Sequence, residues 1–425
     1  MTLNVINCYL TSGIGTVFGC LANHSTGGFA LSTEQAMVWD LEEYDEGNWH
    51  STSTNTSRFV VPFGVTHARI TSSLGTASSG NPLITQKLNG ADFNGQARTE
   101  ARDGQVGFEA TNGISAIVAV TEGDYFETFG HNQAGSTSST SNTWTSVETI
   151  PSTTRRVLCR KTANQSLAAG TDTLLTWDVE DYDTDSFHSN TVNNSRLTAP
   201  VTGRYRVILN AVAASATGQF VIFTRLNGAD YVGRAANEVD SSGIEHCQAV
   251  SAVLQLNAGD YLEAFAFHTS ATSVTAGSST WFSMEQIPSA HKCCLASKTA
   301  TQSLSAGTST NVTFNTEVYD DDNIHDNTTN NTRFVVPAGC TKARATFGLR
   351  MASSSGQLAG NVTKNGSSFV GAPRYDTETA GADTVNAIGA WVPVVPGDYF
   401  ELVAFSTSAD TVAATPFTFF CLECQ

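Results

Sequence analysis

The chain has 425 residues and a formal net charge of −17, from 22 basic and 39 acidic residues. This balance argues against direct binding to DNA or RNA, because neutralising phosphates requires clustered Lys and Arg. No run of about 20 apolar residues is present, so we expect no membrane span. The first residues lack a basic start followed by a long apolar run, so we expect no secretory signal peptide.

Residues 1–18, MTLNVINCYLTSGIGTVF, lie outside the pattern that fills the rest of the chain. We predict that they form an N-terminal arm or a first strand. The apolar stretch LNVINCYL is suited to adding a strand to the sheet edge of a neighbouring protein.

One acidic and aromatic motif occurs three times. Residues 38–51 read VWDLEEYDEGNWHS, residues 176–189 read TWDVEDYDTDSFHS, and residues 313–326 read TFNTEVYDDDNIHD. In each copy a His lies five residues after the Asp of a Tyr-Asp pair, and an Arg lies fourteen residues after the Tyr. The repeated residues are Tyr44, Asp45, His50 and Arg58; Tyr182, Asp183, His188 and Arg196; and Tyr319, Asp320, His325 and Arg333. Spacing that holds across three copies indicates a repeated structural unit.

Further marks extend the repeat over the whole chain. Asn-Gly pairs at 89–90, 227–228 and 365–366 lie 138 residues apart, and GDYFE, GDYLE and GDYFE recur at a similar distance. A period of this length matches a complete domain rather than a solenoid repeat. We therefore predict three domains, at 19–152, 153–289 and 290–425.

Each repeat is predicted to be all-β. Asn-Gly between apolar runs favours a hairpin, because both central residues of a tight turn need positive φ. The segment GRYRVILNAVAAS from Gly203 places Tyr205, Val207, Leu209 and Ala211 on one face. Many short strands separated by turn residues are typical of a sandwich or barrel.

The strand that follows each GDY is apolar on both faces. In the second repeat Leu262, Ala264 and Ala266 oppose Tyr261, Phe265 and Phe267. A half-solvated antiparallel strand is expected to alternate apolar with polar residues. We therefore expect the second face to pack against a neighbouring domain; the alternative is a central strand whose small residues face water.

Each copy resembles the globular-head domain of complement component 1 subcomponent q, in the tumour-necrosis-factor-like jelly-roll superfamily, and is most similar to its phage and bacterial branch. WDVEDYDTDSFHSNTVNNSRLTAPVTGRYRV at 177–207 and LNAGDYLEAFAFHTS at 256–270 carry this resemblance. It implies a ten-stranded jelly roll that assembles as a tight trimer and serves in binding or assembly rather than catalysis. Copy three departs from the pattern, with Phe314 and Asn315 in place of Trp and Asp.

Three such copies in one chain predict three tandem antiparallel jelly-roll sandwiches that can form a pseudo-trimer within the chain. Homotrimeric layers stacked along an axis are the alternative, and self-association stays open.

Three interpretations of the acidic loop are open. A calcium site would use Asp178, Glu180, Asp183 and Asp185, but the copies differ, since Gly47 stands at the position of Asp185. Catalysis lacks a recognisable nucleophile or metal motif, so we predict no enzyme activity. We favour a framework role for the twelve repeated Tyr, Asp, His and Arg residues.

Each Arg is expected to pair with a carboxylate such as Asp45, Asp183 or Asp320, because its planar fork binds carboxylates in a bidentate way. We predict no cofactor, with calcium as the weaker alternative.

The nine cysteines include a C-x-x-C at Cys421 and Cys424. A lone pair of this kind is weak evidence for zinc, which takes four ligands. We interpret the cysteines as free thiols of a protein made in a reducing cytoplasm.

Composition and resemblance together predict a non-enzymatic phage virion structural protein. We favour a capsid decoration or cement protein on the outer surface of the head, with other virion proteins, chiefly the major capsid protein, as partners. The alternative is the receptor-binding head of a tail or head fibre, a host-surface adhesin. In either case we expect a virion-surface protein that is made in the host cytoplasm and binds neither nucleic acid nor membrane.

Overall fold

A computed structural model describes residues 18–24, 31–76, 81–101, 109–132, 142–214, 216–241, 243–351, 354–377, 380–381 and 384–425. All regular secondary structure in these ranges is β-strand. Within them no helix is long and apolar enough to cross a membrane. The predicted arm lies outside the described residues except for Phe18.

The strands of the first repeat are β1 (Gly19–Asn23), β2 (Gln35–Ala36), β3 (Leu41–Asp45), β4 (Arg58–Val60), β5 (His67–Thr76), β6 (Pro82–Leu88), β7 (Arg98–Glu100), β8 (Glu109–Ile114), β9 (Val118–Ala119), β10 (Tyr125–Asn132) and β11 (Trp144–Thr149).

The strands of the second repeat are β12 (Arg156–Arg160), β13 (Gln165–Leu167), β14 (Thr173–Leu174), β15 (Val179–Asp183), β16 (Arg196–Thr198), β17 (Gly203–Ala213), β18 (Gly218–Leu226), β19 (Ala236–Ser241), β20 (Glu245–Val250), β21 (Leu254–Leu256), β22 (Tyr261–His268), β23 (Thr272–Val274) and β24 (Trp281–Gln286).

The strands of the third repeat are β25 (Lys292–Ser297), β26 (Gln302–Leu304), β27 (Thr310–Asn311), β28 (Thr316–Asp320), β29 (Arg333–Val335), β30 (Lys342–Arg350), β31 (Ser354–Ser355), β32 (Leu358–Lys364), β33 (Arg374–Thr377), β34 (Ala380–Gly381), β35 (Thr384–Ile388), β36 (Val392–Pro393), β37 (Tyr399–Ser406), β38 (Asp410–Val412) and β39 (Phe419–Cys424).

Each repeat builds two main antiparallel sheets of the same order, and the third repeat adds two small sheets, β26-β38 and β31-β34. The inner sheets run β3-β1-β11-β5-β8, β15-β12-β24-β17-β20 and β28-β25-β39-β30-β35. The outer sheets run β2-β10-β6-β7, β14-β22-β18-β19 and β27-β37-β32-β33. The chain alternates between the two sheets and its first and last strands pair in each repeat, which is a jelly-roll arrangement. The fold class is all-β as predicted, and the strand pairs in the described ranges stay within single repeats; the domain boundaries themselves stay predictions.

The Asn-Gly pairs form the predicted turns and connect to the GDY motif. Asn89 and Gly90 both have positive φ, at 54° and 76°, and the other two pairs match them. The Asn89 amide donates to Asp124 Oδ1 at 2.8 Å, and its Oδ1 accepts the backbone N–H of Tyr125 at 2.9 Å. The same two contacts occur in the other repeats. The Asn-Gly turn and the GDY motif therefore lie together and are joined by hydrogen bonds in each repeat.

The strand with two packed faces is a different one from the strand we predicted. In β22 the small residues Ala264 and Ala266 are buried in the core, whereas Phe265 and Phe267 lie half-buried on the outer face. Arginine side chains cover part of that face, with Arg196 over Tyr261 at 3.9 Å and Arg225 over Phe265 at 4.5 Å. The expectation that a neighbouring domain covers it was wrong, because cations over aromatic rings supply the cover.

Strands β5, β17 and β30 are among those packed on both faces. In β17 the alternate residues Tyr205, Val207 and Leu209 lie in the core of the second repeat, as the alternation predicted. The opposite residues Arg206 and Ile208 are also buried, in contacts with other repeats. The inner sheets therefore face both the core of their own sandwich and the neighbouring repeats.

The repeats contact one another in cyclic order. Strand β7 of the first repeat lies against β20 of the second, β19 of the second against β35 of the third, and β33 of the third against β8 of the first. Apolar clusters cross the same junctions: Leu158 and Trp281 pack with Ile114, Leu295 and Phe419 join the core of repeat two, and Leu21 and Trp144 join that of repeat three. Each repeat thus offers one surface to the repeat before it and another to the repeat after it.

Candidate functional site: framework loops and a closed inter-repeat interface

The aspartate of each Tyr-Asp pair holds the loop that follows its strand. Asp45 accepts hydrogen bonds from the backbone N–H groups of Trp49 at 2.9 Å and His50 at 3.1 Å. The equivalent distances are 3.0 and 2.9 Å from Asp183 to Phe187 and His188, and 2.8 and 3.0 Å from Asp320 to Ile324 and His325. Such local carboxylate contacts fix a loop backbone. The buried residue before each His then anchors the loop in the core.

The repeated histidines bridge the loop to its strand. His50 Nδ1 lies 2.8 Å from Glu42 Oε1, and its Nε2 lies 3.1 Å from the carbonyl oxygen of Thr56. His188 makes the same pair of contacts, with Glu180 Oε1 at 2.9 Å and the Asn194 carbonyl at 3.2 Å. His325 differs, because its two ring nitrogens face the carbonyl oxygens of Arg333 and Phe314. In all three copies the imidazole is engaged on both sides.

The repeated arginines pair with glutamates, which corrects our expectation that they pair with Asp45, Asp183 or Asp320. Arg58 lies 3.6 Å from Glu127, Arg196 lies 3.1 Å from Glu263, and Arg333 lies 3.5 Å from Glu401. The same guanidinium groups cover the rings of Tyr125, Tyr261 and Tyr399 at 4.1, 3.9 and 4.1 Å. The aspartates are unavailable because they accept backbone N–H groups. The glutamates and tyrosines belong to the GDYFE and GDYLE motifs. The arginines of the acidic motif therefore contact the GDYFE or GDYLE motif of the same repeat.

The repeated tyrosines lie between repeats. Tyr44 donates its hydroxyl to the carbonyl oxygen of Trp391 at 3.0 Å, and Tyr319 donates to that of Val253 at 2.5 Å. Tyr182 packs in the apolar cluster where the first and second repeats meet, 5.4 Å from Arg156. Burial raises the pKa of all three phenols. These residues therefore connect each framework loop to a junction.

Each of the four calcium candidates has its own donor. Asp178 accepts the backbone N–H of Thr162 at 2.8 Å, Glu180 contacts His188, Asp183 caps its loop, and Asp185 lies 3.1 Å from Arg155. Among the described residues, no three His, Cys, Asp or Glu side chains gather in a way that could hold a metal ion. The four carboxylates are thus placed for hydrogen bonding to protein groups.

The C-x-x-C cysteines face different surroundings. Cys421 packs against the core of the second repeat, whereas Cys424 lies in the core of the third. Successive strand residues alternate sides, so residues three apart in β39 point to opposite faces. The eight cysteines in the described ranges are buried free thiols.

A ring of buried charges joins all three repeats at the end of the inner sheets. Arg69 donates to Glu285 of the second repeat at 2.8 Å, Arg206 donates to Glu423 of the third, and Arg344 lies 2.7 Å from Glu148 of the first. Two contacts within repeats link these pairs to one another, with Arg69 3.3 Å from Glu148 and Arg206 3.0 Å from Glu285. These six residues, the charge ring, are all nearly inaccessible to solvent.

The charge ring holds Glu148 and Glu423 ionised. Burial by itself raises the pKa of Glu148 and Glu423, but the surrounding arginines outweigh it and keep both pKa values below the usual range. His291, from the connection between the second and third repeats, adds a contact of 2.8 Å to Glu423. Trp391 donates its Nε1–H to Glu148 at 2.8 Å. Buried charges require such pairing, because desolvation is costly.

A second ring is built from amide side chains. Gln248 accepts the backbone N–H of Ile114 at 2.7 Å and donates to its carbonyl oxygen at 2.9 Å. Asn386 accepts the N–H of Val250 at 2.6 Å, and Asn112 accepts the N–H of Ile388 at 3.0 Å. Each amide reaches from one repeat to the equivalent strand of another, so these contacts also close a cycle. They satisfy strand edges that would otherwise be buried without a partner.

A third ring uses carboxylates, and it runs in the opposite cyclic sense because each side chain reaches the following repeat rather than the preceding one. Glu100 accepts the N–H of His246 at 3.3 Å, and Glu238 accepts the N–H of Thr384 at 3.0 Å. Asp376 accepts the N–H of Ala110, and burial raises its pKa to about 6 despite nearby Arg374. The interface therefore carries three layers of polar contacts, each made once at every junction.

The repeated sequence motifs did not identify these interface residues. Glu148, Glu285 and Glu423 lie within VETIP, MEQIP and the C-terminal FFCLECQ, which mark only the ends of the repeats. Their arginine partners Arg69, Arg206 and Arg344 are spaced like the other repeated residues and provide a signal that could have been found. The spacing does not identify the partner glutamates, because Arg69–Glu285, Arg206–Glu423 and Arg344–Glu148 join different repeats.

Comparisons with known proteins return structures only. No protein-family model matches the chain, and no curated protein matches it. Among solved structures, murine APRIL at pH 5.0 is similar at 11% identity and a TM-score of 0.25, over 32% of this chain and 99% of that one. Eiger TNF from S. frugiperda is similar at 15% identity and a TM-score of 0.24, over 32% and 94%. The triple jelly roll of an archaeal virus turret assembly is similar at 10% identity and a TM-score of 0.19, over 95% and 89%.

Proposed function

We propose that the chain is a non-enzymatic phage virion structural protein that decorates the outer surface of the head as an intrachain pseudo-trimer. The cyclic contacts of the three repeats carry this proposal. Each repeat binds the next through a charged pair, an amide and a carboxylate, so all three equivalent interfaces are used within one chain. A unit closed in this way needs no further copy of itself and has its outer surface free for a lattice.

The end of the molecule that carries the charge ring supports contact with a shell. Thr149 donates to the carbonyl oxygen of Phe18 at this end, and Thr341 donates its backbone N–H to the carbonyl oxygen of Gln425 at the same end of the third repeat. Phe63 and Val395 are exposed in the adjoining turns, at 85% and 62%. Large apolar side chains at one end of a soluble protein favour burial against a partner. The partner in this proposal is the major capsid protein, and the arm at 1–17, outside the described residues, would add a clamp.

Co-sedimentation with heads tests the proposal. Heads of the encoding phage that lack this protein are mixed with the purified chain and separated on a density gradient, and bound protein is then located by cryo-electron microscopy. We expect the chain to sediment with heads and Phe63→Ser to weaken this binding. Ile244→Ser is the matched control, because Ile244 is 54% exposed at the start of β20, at the opposite end of the inner sheet.

The outcomes separate the two virion functions. Equal loss of binding by both variants, or no binding to heads, contradicts decoration by this face. Antibody labelling of tail or head fibres instead of the shell would establish the receptor-binding alternative.

A further inference from the structure

Arginine and phenylalanine side chains stack where the second and third repeats meet, and Phe223 and Phe265 also stack on each other with 5.3 Å between ring centres. Arg225 lies 4.5 Å from the ring centre of Phe265 and 5.3 Å from that of Phe223. The stack continues as Arg234 lies 4.9 Å from Phe223 and 5.1 Å from Phe417, and Arg350 lies 4.1 Å from Phe417. We call these six residues the arginine ladder: Phe223, Arg225, Arg234, Phe265, Arg350 and Phe417.

The arginine ladder carries excess positive charge on a strongly acidic chain. Arg225 pairs with Asp172 at 3.0 Å, and Arg234 pairs with Asp230 at 2.5 Å. Arg350 forms no ion pair with any side chain in the described ranges. Burial, and then repulsion from Arg350 and Arg225, lowers the pKa of Arg234 even though Asp230 opposes the shift. An anion placed here would relieve that repulsion.

The ladder also holds hydrogen-bond donors that the protein does not use. The buried Nε of Arg234 has no hydrogen-bond partner among the described residues. The side chain of Arg225 is 29% exposed, and Arg350 and Phe417 are half-buried. Asp172 and Asp230 already occupy N–H groups of Arg225 and Arg234, so the N–H edge of Arg350 remains for a ligand. Such edges match the two oxygens of a carboxylate or phosphate.

The jelly-roll repeat does not require this ladder, because the other two junctions lack it. The residue at the position of Arg234 is Gln96 in the first repeat, which donates to Ser279 at 2.8 Å. It is Ala372 in the third repeat, whose carbonyl oxygen accepts the Nε1–H of Trp144 at 3.2 Å. Neutral contacts are therefore sufficient at this position of a junction. The excess charge at the junction of repeats two and three calls for a different explanation.

We propose that the arginine ladder is a binding site for an oxyanion, a carboxylate or phosphate group carried by an acidic saccharide. The guanidinium edges bind the anion, and the partly exposed rings of Phe265 and Phe417 provide apolar surface for the sugar. This goes beyond head decoration, since it gives the protein an affinity for acidic polysaccharide surfaces. The negative charge of the rest of the chain disfavours nonspecific binding of the same ligands elsewhere.

Titration of the purified full-length chain tests this site. The probes are glucuronate for the carboxylate, glucose 1-phosphate for the phosphate and glucose as the neutral control, followed by chemical-shift changes or calorimetry. We expect saturable binding of at least one acidic probe, weakened by added salt, and no binding of glucose. The preferred acidic probe identifies whether the natural group is a carboxylate or a phosphate.

A pair of charge-matched variants makes the test specific. Arg350→Gln is expected to weaken the acidic probe about tenfold, which is the usual effect of losing a charge-assisted hydrogen bond. Arg333→Gln removes the same charge where Glu401 already pairs with it, and is expected to leave binding unchanged. Arg225→Gln is a second ladder variant in case the first alters folding, which unfolding curves will show. Absence of binding by the acidic probes, equal binding of glucose, or equal effects of ladder and control variants would overturn the proposal.

This test does not depend on the decoration proposal. It uses free protein, so failure of the chain to bind heads leaves a ladder result intact, and the reverse also holds.

Discussion

The chain makes three Arg–Glu contacts in its framework loops and five in its charge ring, with different consequences. The framework arginines Arg58, Arg196 and Arg333 are 38%, 35% and 41% exposed, whereas Arg69, Arg206 and Arg344 are 3%, 2% and 2% exposed. An exposed ion pair contributes little because water screens it. A buried pair is costly to break because it leaves an uncompensated charge. In the framework loops the arginines therefore cover a tyrosine ring of the same repeat. In the charge ring the same residue types hold the three repeats together.

Replacing Arg206 with Met is the strongest way to break the charge ring. Arg206 joins Glu285 and Glu423, and its loss leaves the buried Glu423 with fewer partners. We expect the free energy of unfolding to fall by about 3–5 kcal/mol. Chemical denaturation followed by fluorescence measures this change.

Arg196→Met is the matched control in the framework loop of the same repeat. Its guanidinium pairs with Glu263 at 3.1 Å near the surface, so we expect a loss of about 1 kcal/mol or less. Equal losses for the two variants would show that burial does not separate the two regions.

Asp376 is predicted to give a pH dependence of folding stability with the opposite sign to that of the charge-ring carboxylate Glu423. Its folded pKa is about 6, and a carboxyl in the unfolded chain titrates near about 3.9. The folded state holds the proton more tightly, so stability falls as pH rises through this window and stays lower above it. Asp376→Asn mimics the protonated form, and we expect it to be more stable than the parent at pH 8 by up to about 2 kcal/mol.

For Glu423 the pH dependence of folding stability should have the opposite sign. Burial raises the pKa of Glu423, but Arg206 and His291 outweigh it, so its ionised form stabilises the fold at neutral pH. This stabilisation is lost as pH falls through the lowered folded pKa, so the cost of Glu423→Gln shrinks in acid. Thermal unfolding of both variants from pH 2 to pH 8 gives the two slopes, because the Glu423 window lies below the ordinary carboxyl pKa. If the stability differences of Asp376→Asn and Glu423→Gln from the parent changed with pH in the same direction, the opposite roles of these two carboxylates would be contradicted.

Removing a loop-capping aspartate should have a smaller, local effect. Asp183 accepts the N–H groups of Phe187 and His188, so Asp183→Ala leaves these donors without their carboxylate. We expect a loss of about 1–2 kcal/mol, because water can reach part of this loop. Hydrogen exchange should increase at residues 184–189 and stay unchanged in the charge ring. Faster exchange throughout the molecule would mean that the loop supports the whole assembly.

These two regions also mark the limit of what the sequence predicts. Strand type, the Asn-Gly turns and the core face of β17 follow from local patterns and were predicted. The framework residues were also found, because Tyr, Asp, His and Arg recur at fixed spacing. Their partners were partly wrong, since Arg58 lies beside Glu127, which is distant in sequence. The charge ring was missed because spacing within one repeat holds no information about contacts between repeats.

The smallest expected effect concerns the acidic loop of the second repeat. The closed cycle of contacts predicts a single chain of 45.0 kDa in solution, measurable by mass photometry. Asp178, Glu180, Asp183 and Asp185 each have a protein donor, so we expect EDTA to change neither this mass nor the unfolding temperature. A fall in unfolding temperature that calcium restores would assign these carboxylates to a metal. A mass three times larger would instead place the partner surfaces between chains, and the charge ring would then have to be tested as an intermolecular contact.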